Sequence, residues 1–161
     1  MKKNTILLIE DNELDVISIQ RSLKKLDTEY ELFTSFNGIE ALDMLRGKPG
    51  LLPMDPPPNI ILLDINMPKM NGLEFLQVLR SEKGLKHIKV FVMTTSGEEF
   101  DRVATEKLGI SGYLIKPMSY SNNYDRSGSM EGFVQFHIGK ILREQEKVNE
   151  SQPLNNLNSK P

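Results

Sequence analysis

Two apolar runs in this chain end on acid. Residues 5–9 (TILLI) lead into Glu10-Asp11, and residues 60–63 (IILL) lead into Asp64. Short runs that are apolar at nearly every position suit strands buried on both faces, as in a parallel sheet covered by helices. In an open sheet of that kind, ligands bind outside the carboxyl ends of the strands. Two such strands side by side bring three carboxylates to one edge. Clustered negative charges repel unless a cation joins them, and hard divalent cations such as Mg2+ take oxygen ligands of this type. The chain is therefore expected to build a metal-dependent acidic pocket.

The remaining pattern supports this architecture. Strands are expected at 5–9, 31–34, 59–63, 89–93 and 112–115. Between them, Leu14, Ile17, Leu23 and Leu26 suggest one helix face, Ile39, Leu42 and Leu45 a second, and Leu73, Leu76 and Leu79 a third, all at three- and four-residue spacings. Asn37-Gly-Ile-Glu40 reads as a helix cap with a glutamate at its third position, a variant of the capping box. A fourth helix is expected over 98–108, stopping at Gly109, and a last one from Met130 to about Val148, with Phe133, Phe136, Ile138, Ile141 and Leu142 mostly inward. The order is strand–helix five times over, which predicts a doubly wound parallel α/β sheet. Two stretches interrupt it. The proline-rich 48–58 is expected to be a surface loop beside the second helix, and the polar 119–129 another long loop.

With 161 residues the chain fits one domain over 4–148, followed by a tail at 149–161 expected to be disordered. Twenty Lys+Arg nearly cancel 22 Asp+Glu, so no global field favours nucleic acid or an anionic membrane. The absence of Cys removes disulfides and thiolate metal sites and fits the cytoplasm. The apolar run after the first lysines is too short for a secretory signal, and no stretch approaches the roughly 20 apolar residues of a membrane span.

The chemistry follows from what sits at the strand ends. Asp64 precedes Ile-Asn66-Met-Pro68-Lys-Met-Asn-Gly72, whose Pro and Gly suit a tight turn. An ionised aspartate there can hold a cation or attack phosphorus. Mg2+ held by Glu10, Asp11 and Asp64 would screen the charge of such a reaction, with the main-chain carbonyl of Asn66 as a further ligand. Thr94 ends the fourth run with a hydroxyl that can donate to a phosphoryl oxygen, and Lys116 ends the fifth with a compact positive charge. Three acids, a hydroxyl, a lysine and a metal suit transfer of one phosphoryl group to the protein itself.

Taken together, Glu10-Asp11, Asp64 within LLDINMPKMNG, Thr94-Thr95-Ser96 and Lys116-Pro117 resemble the receiver domain of two-component response regulators. Thirty residues separate Asp64 from Thr94, and 22 separate Thr94 from Lys116, as in that family. The resemblance brings with it the flavodoxin-like strand order 2-1-3-4-5. It implies that Asp64 accepts a phosphoryl group from a phosphohistidine on a sensor histidine kinase or phosphotransfer protein, and that Glu10, Asp11, Asp64 and the Asn66 carbonyl hold Mg2+, with Mn2+ as an alternative. Lys116 would bridge to the phosphoryl group, and Thr94 would move toward it. Tyr113 matches the aromatic switch position. Asn66 and Ser96 match the side chains that tune how quickly water removes the phosphoryl group, and Pro117 a residue usually preceded by a cis peptide.

The implied protein is a single-domain signalling switch that phosphorylates and dephosphorylates itself and is not an enzyme of external substrates. It would pass its signal to a downstream protein by altered binding, as a chemotaxis-regulator-like adaptor or a phosphorelay shuttle, monomeric or as a phosphorylation-linked dimer. Regulators paired with phytochrome-type kinases are a further resemblance. The loop at 119–129, with Tyr120, Tyr124 and Arg126, is expected to shape partner choice.

Plainer readings compete for the same residues. Glu10-Asp11 can serve the dipole of the helix beginning near Glu13. Tyr113 can be strand packing, and His87 and His137 lack metal-ligand company. Rival functions are an aspartyl-nucleophile phosphatase, a pseudo-receiver working without phosphorylation, and a flavin binder. The first wants a second aspartate where Asn66 stands, and the last wants a phosphate loop where Glu10-Asp11 stands.

Overall fold

The computed structural model describes residues 3–94, 107–116 and 130–151. In chain order these contain β1 (Asn4–Ile9), α1 (Glu13–Leu23), β2 (Tyr30–Ser35), α2 (Gly38–Arg46), β3 (Ile60–Asp64), α3 (Gly72–Ser81), β4 (Lys89–Thr94) and β5 (Gly112–Ile115). The last helix, α4, covers 130–151. Its regular parts, Met130–Phe133 and Gly139–Ser151, flank a π-helical stretch at Val134–Ile138. It thus runs three residues past the boundary expected at 148. The expected helix at 98–108 falls almost wholly outside the described residues, as do the loop at 119–129 and the chain after Ser151.

The five strands form one parallel sheet in the order β2-β1-β3-β4-β5. Every residue of β1 and β3 is buried, the condition that makes a parallel strand read as a continuous apolar run. One face carries Leu7, Ile9, Ile61, Leu63, Val90 and Val92 against α2 and α3 through Leu42, Leu45, Phe75, Leu76 and Leu79. The other carries Ile6, Leu8, Ile60, Leu62, Phe91 and Met93 against α1 and α4 through Ile19, Leu23, Phe133, Val134, Ile138 and Leu142. Phe91 and Phe133 meet edge to face, with ring centroids 5.1 Å apart, a favoured aromatic geometry.

The helix faces expected from spacing need three corrections. In α1, Leu14 and Ile17 are exposed, at 77% and 44%, while Val16, Ile19, Leu23 and Leu26 face the sheet. Leu14 and Ile17 lie on nearly the opposite side of the helix from Val16, Ile19 and Leu23, so both sides have apolar members, and the sheet accepts only one. In α2, Ile39 points outward and Ala41 is buried with Leu42 and Leu45. In α4, Phe136 is exposed and Val134 is buried, because Val134 shares a face with Ile138 and Leu142 at four-residue spacing while Phe136 falls on the other side.

The caps are local and specific. Asn37 caps α2 by accepting from the Glu40 N–H at 2.9 Å. The Glu40 carboxylate reaches back to the Phe36 N–H at 3.0 Å, one residue before the partner of a full capping box. The complete box lies at α3, where Asn71 accepts from the Glu74 N–H and Glu74 from the Asn71 N–H, each at 2.9 Å. The segment 48–58 is a loop with one isolated bridge between Lys48 and Leu51. It is tied to α2 by the Met54 N–H on the Met44 carbonyl at 2.9 Å. Far from the acidic edge, the Arg80 guanidinium donates to the carbonyls of Lys86, Ile88, Leu108 and Gly109 and clamps the end of α3 to the starts of β4 and β5.

Candidate functional site

Sheet register brings the acids together. Ile9 pairs with Leu63, so the next residues, Glu10 and Asp64, stand side by side at the carboxyl edge of the sheet. Oxygens of Glu10, Asp11 and Asp64 lie within 4.8 Å of one another. Glu10 and Asp64 are buried and Asp11 is exposed, so the cluster opens to solvent on one side. On the other flank, Asp64 pairs with Met93 and Thr94 with Ile115. This sets Thr94 at the end of β4 and Lys116 immediately after β5, both at the acidic edge.

Two turns hold the acids in place. The Glu10 N–H donates to the Ser35 carbonyl at 3.0 Å, and a Glu10 carboxylate oxygen accepts from the Asn12 N–H at 3.2 Å. Asn12 then caps α1 by accepting from the Leu14 and Asp15 N–H groups. Beyond Asp64 the chain turns back, with Lys69 at φ 66° and the Gly72 N–H on the Ile65 carbonyl at 2.9 Å. A Cβ on Gly72 would stand 2.8 Å from the Ile65 Cα and press on the Asp64 carbonyl. Only glycine permits this approach, and the tight return carries Asn66 past the acids. Asn66 also donates its backbone N–H to Asp64.

Lys116 is the counter-charge. Its ammonium donates to Glu10 and, at 2.9 Å, to Asp15, and it lies 3.6 Å from Asp64 Oδ1. Burial pulls the Lys116 ammonium down, but the bonds to Glu10 and Asp15 and the fields of Asp64 and Glu10 outweigh it, leaving it above its ordinary value. Burial and the charges of Glu10 and Asp11, against the pull of Lys116, push Asp64 up to about 7. Glu10 is raised chiefly by burial, although Lys116 opposes the shift. The site thus holds more negative charge than its lysine compensates, and its donors are hard oxygens suited to a divalent cation. Asp15 escaped the sequence reading. The signal was its place one helical turn beyond Asp11.

These features match a known family. The model of the response regulator receiver domain matches residues 6–125. The chain belongs to the response regulator receiver domain family. Response regulator Rcp1 of Synechocystis sp. is 35% identical over 128 residues, 80% of this chain and 86% of Rcp1. The crystal structure of the Mn2+-bound form of Rcp1 superposes with a TM-score of 0.69 at 34% identity, covering 83% of this chain and 93% of that one. The phosphorylated cyanobacterial phytochrome response regulator RcpA gives a TM-score of 0.66 at 29% identity, covering 93% of this receiver chain and 96% of its own. The five-stranded flavodoxin-like sheet and its order are those of the receiver fold.

Of the expected site residues, Glu10, Asp11, Asp64 and Lys116 are brought into one cluster, with the Asn66 backbone beside Asp64. Tyr113 stands opposite Val92 in β5, half-buried against the core face shared with α2 and α3. Ser96 and Pro117 lie outside the described residues, and so do Thr95, Tyr120, Tyr124 and Arg126. His87 is exposed on the loop before β4. His137 leans on Phe133 with ring centroids 5.1 Å apart, a packing role away from the acids.

Proposed function

We propose that this receiver is a phosphorylation switch in which Asp64 takes a phosphoryl group from the phosphohistidine of a sensor histidine kinase or phosphotransfer protein in a Mg2+-dependent reaction. The observation that carries this reading is the convergence of three carboxylates within 4.8 Å, with a buried lysine beside them. Glu10, Asp11 and Asp64, with the Asn66 carbonyl, would hold the ion, and Mn2+ would serve in place of Mg2+. When bound, the ion neutralises charge on the acids and on the transferred group.

The chain's own groups perform the transfer. A carboxylate oxygen of Asp64 forms a bond to phosphorus as the P–N bond of the donor breaks and its electron pair leaves on the imidazole. Asp64 must be ionised to do this, and the Lys116 ammonium favours that form. Lys116 then pairs with a phosphoryl oxygen, and Thr94 donates its hydroxyl to another. As Thr94 moves, the Tyr113 ring follows, which changes the surface offered to a downstream protein. Asn66 and Ser96 govern the approach of the water that returns phosphate. This is a self-modifying signalling switch, not an enzyme of external substrates, acting in the cytoplasm as a monomer or a phosphorylation-linked dimer. The balanced charge supports protein partners over nucleic acid or membrane. Among the described residues no helix is long and apolar enough to cross a membrane. The metal and phosphoryl readings draw support from relatives described in Mn2+-bound and phosphorylated forms.

The test is intact mass after incubation with acetyl phosphate, with and without Mg2+, for wild type and Asp64→Asn. A gain of one phosphoryl group that needs both Mg2+ and Asp64 supports the reading. A wild type that gains nothing while still binding Mg2+ points to a receiver that signals without phosphorylation.

A further inference from the structure

The Lys116 ammonium has three donors. Two point toward the α1 side of the site, to Glu10 and to Asp15 Oδ2 at 2.9 Å, while Asp64 Oδ1 at 3.6 Å lies beyond hydrogen-bond reach. Glu10 and Asp64 belong to the acid cluster whose oxygens converge, and Asp15 does not. Asp15 is fixed from the other side, because its backbone N–H is held by the Asn12 cap at 3.1 Å. Its side chain is 35% exposed, so burial alone does not oblige it to find a cation.

From this arrangement we infer that Asp15 is a positioning residue that holds the Lys116 ammonium on the α1 side, away from Asp64, until a phosphoryl oxygen draws it across. The inference rests on the function proposed above. In the unphosphorylated protein the ammonium is a rival to the divalent cation for Asp64 and Glu10. Asp15 gives it a partner outside the cluster, beside its bond to Glu10, and leaves Asp64 without a hydrogen bond from it. Once Glu10 is engaged by the ion, Asp15 is the hydrogen-bond partner Lys116 retains. On phosphorylation the lysine must leave Asp15 for the phosphoryl group, so the same contact opposes the phosphorylated state.

Calorimetric Mg2+ titration of Asp15→Asn, in the Lys116 and Lys116→Met backgrounds, tests this. With Lys116 present, Asp15→Asn should weaken Mg2+ binding about fivefold, within the coupling seen among groups of one ion-pair network. In the Lys116→Met background the same change should cost less than about twofold, because the rival cation is gone. Equal losses in the two backgrounds, or no loss in the first, would overturn the inference, since Asp15 would then act as a distant charge or not at all. The 15N signal of the Lys116 ammonium reads the same contact without the second variant. It should shift in Asp15→Asn and return in Asp15→Glu; an unchanged signal overturns the inference even where Lys116→Met fails to fold. A wild type that binds no divalent cation would instead remove the proposed function, and the inference with it.

Discussion

Lys116 stands 3.6 Å from Asp64, whose carboxyl is pushed up to about 7. The same ammonium compensates Glu10, which has no exposed surface. Lys116→Met therefore leaves buried acid uncompensated. Removing one partner of a buried pair costs about 3–5 kcal/mol, and urea denaturation of the metal-free variant should show a loss of that order. Mg2+ should return part of it, because the ion supplies the missing positive charge. A variant as stable as wild type without metal would mean that Lys116 does not carry the charge balance of the site.

The raised Asp64 carboxyl gives the metal-free protein a distinctive pH dependence. Its folded-state value of about 7 lies above its ordinary 3.8, so the native state holds a proton that the unfolded chain releases. The stability this contributes is fully present below about 3.8 and is lost as pH rises through about 7. Glu10, also raised, acts in the same direction. Denaturation midpoints in chelator should fall between pH 5 and pH 8. Saturating Mg2+ should flatten or reverse that slope, since the ion binds the ionised carboxylates. Asp64→Asn should also flatten it.

Gly72 is where the return of the chain past Asp64 is tightest. Gly72→Ala places a methyl 2.8 Å from the Ile65 Cα, and relief requires the backbone to move. The cost should be about 1–3 kcal/mol, accompanied by weaker Mg2+ binding because Asp64 and Asn66 shift with the turn. An Ala variant with wild-type stability and Mg2+ affinity would show that the turn relaxes freely.

The two stripes of α1 should respond differently to truncation. Leu23 has no exposed surface and Leu14 is 77% exposed. Leu23→Ala should cost about 2–5 kcal/mol, whereas Leu14→Ala should stay within about 0.5 kcal/mol. Similar losses at both would put Leu14 in the core after all.

The acidic site was legible because its residues mark the ends of apolar runs. A strand buried on both faces must be apolar until it emerges, so the first acid after each run marks the carboxyl edge of the sheet. Glu10 and Asp64 are marked in this way, Thr94 and Lys116 are the polar residues that end the fourth and fifth runs, and the family spacing agrees. Helix faces were harder to read. Leu14 and Leu23 are the same residue type with opposite fates, and spacing alone does not say which of two apolar stripes meets the sheet. The capping box at Asn71 and Glu74 is less legible, because it directly follows the Pro68 turn and abuts Gly72, whose local signals are stronger.

The sequence by itself determined the order of the strands and of the described helices, the loop at 48–58 and the acids that crowd one edge, because periodicity and turn chemistry are local properties of the chain. Only the tertiary structure decided that Asp15 shares Lys116 with Glu10 and that Asp64 is raised. These depend on contacts between residues 101 and 106 positions apart and on the burial of charge. Both arise when β1, β3 and β5 are set in register, and no local pattern records either.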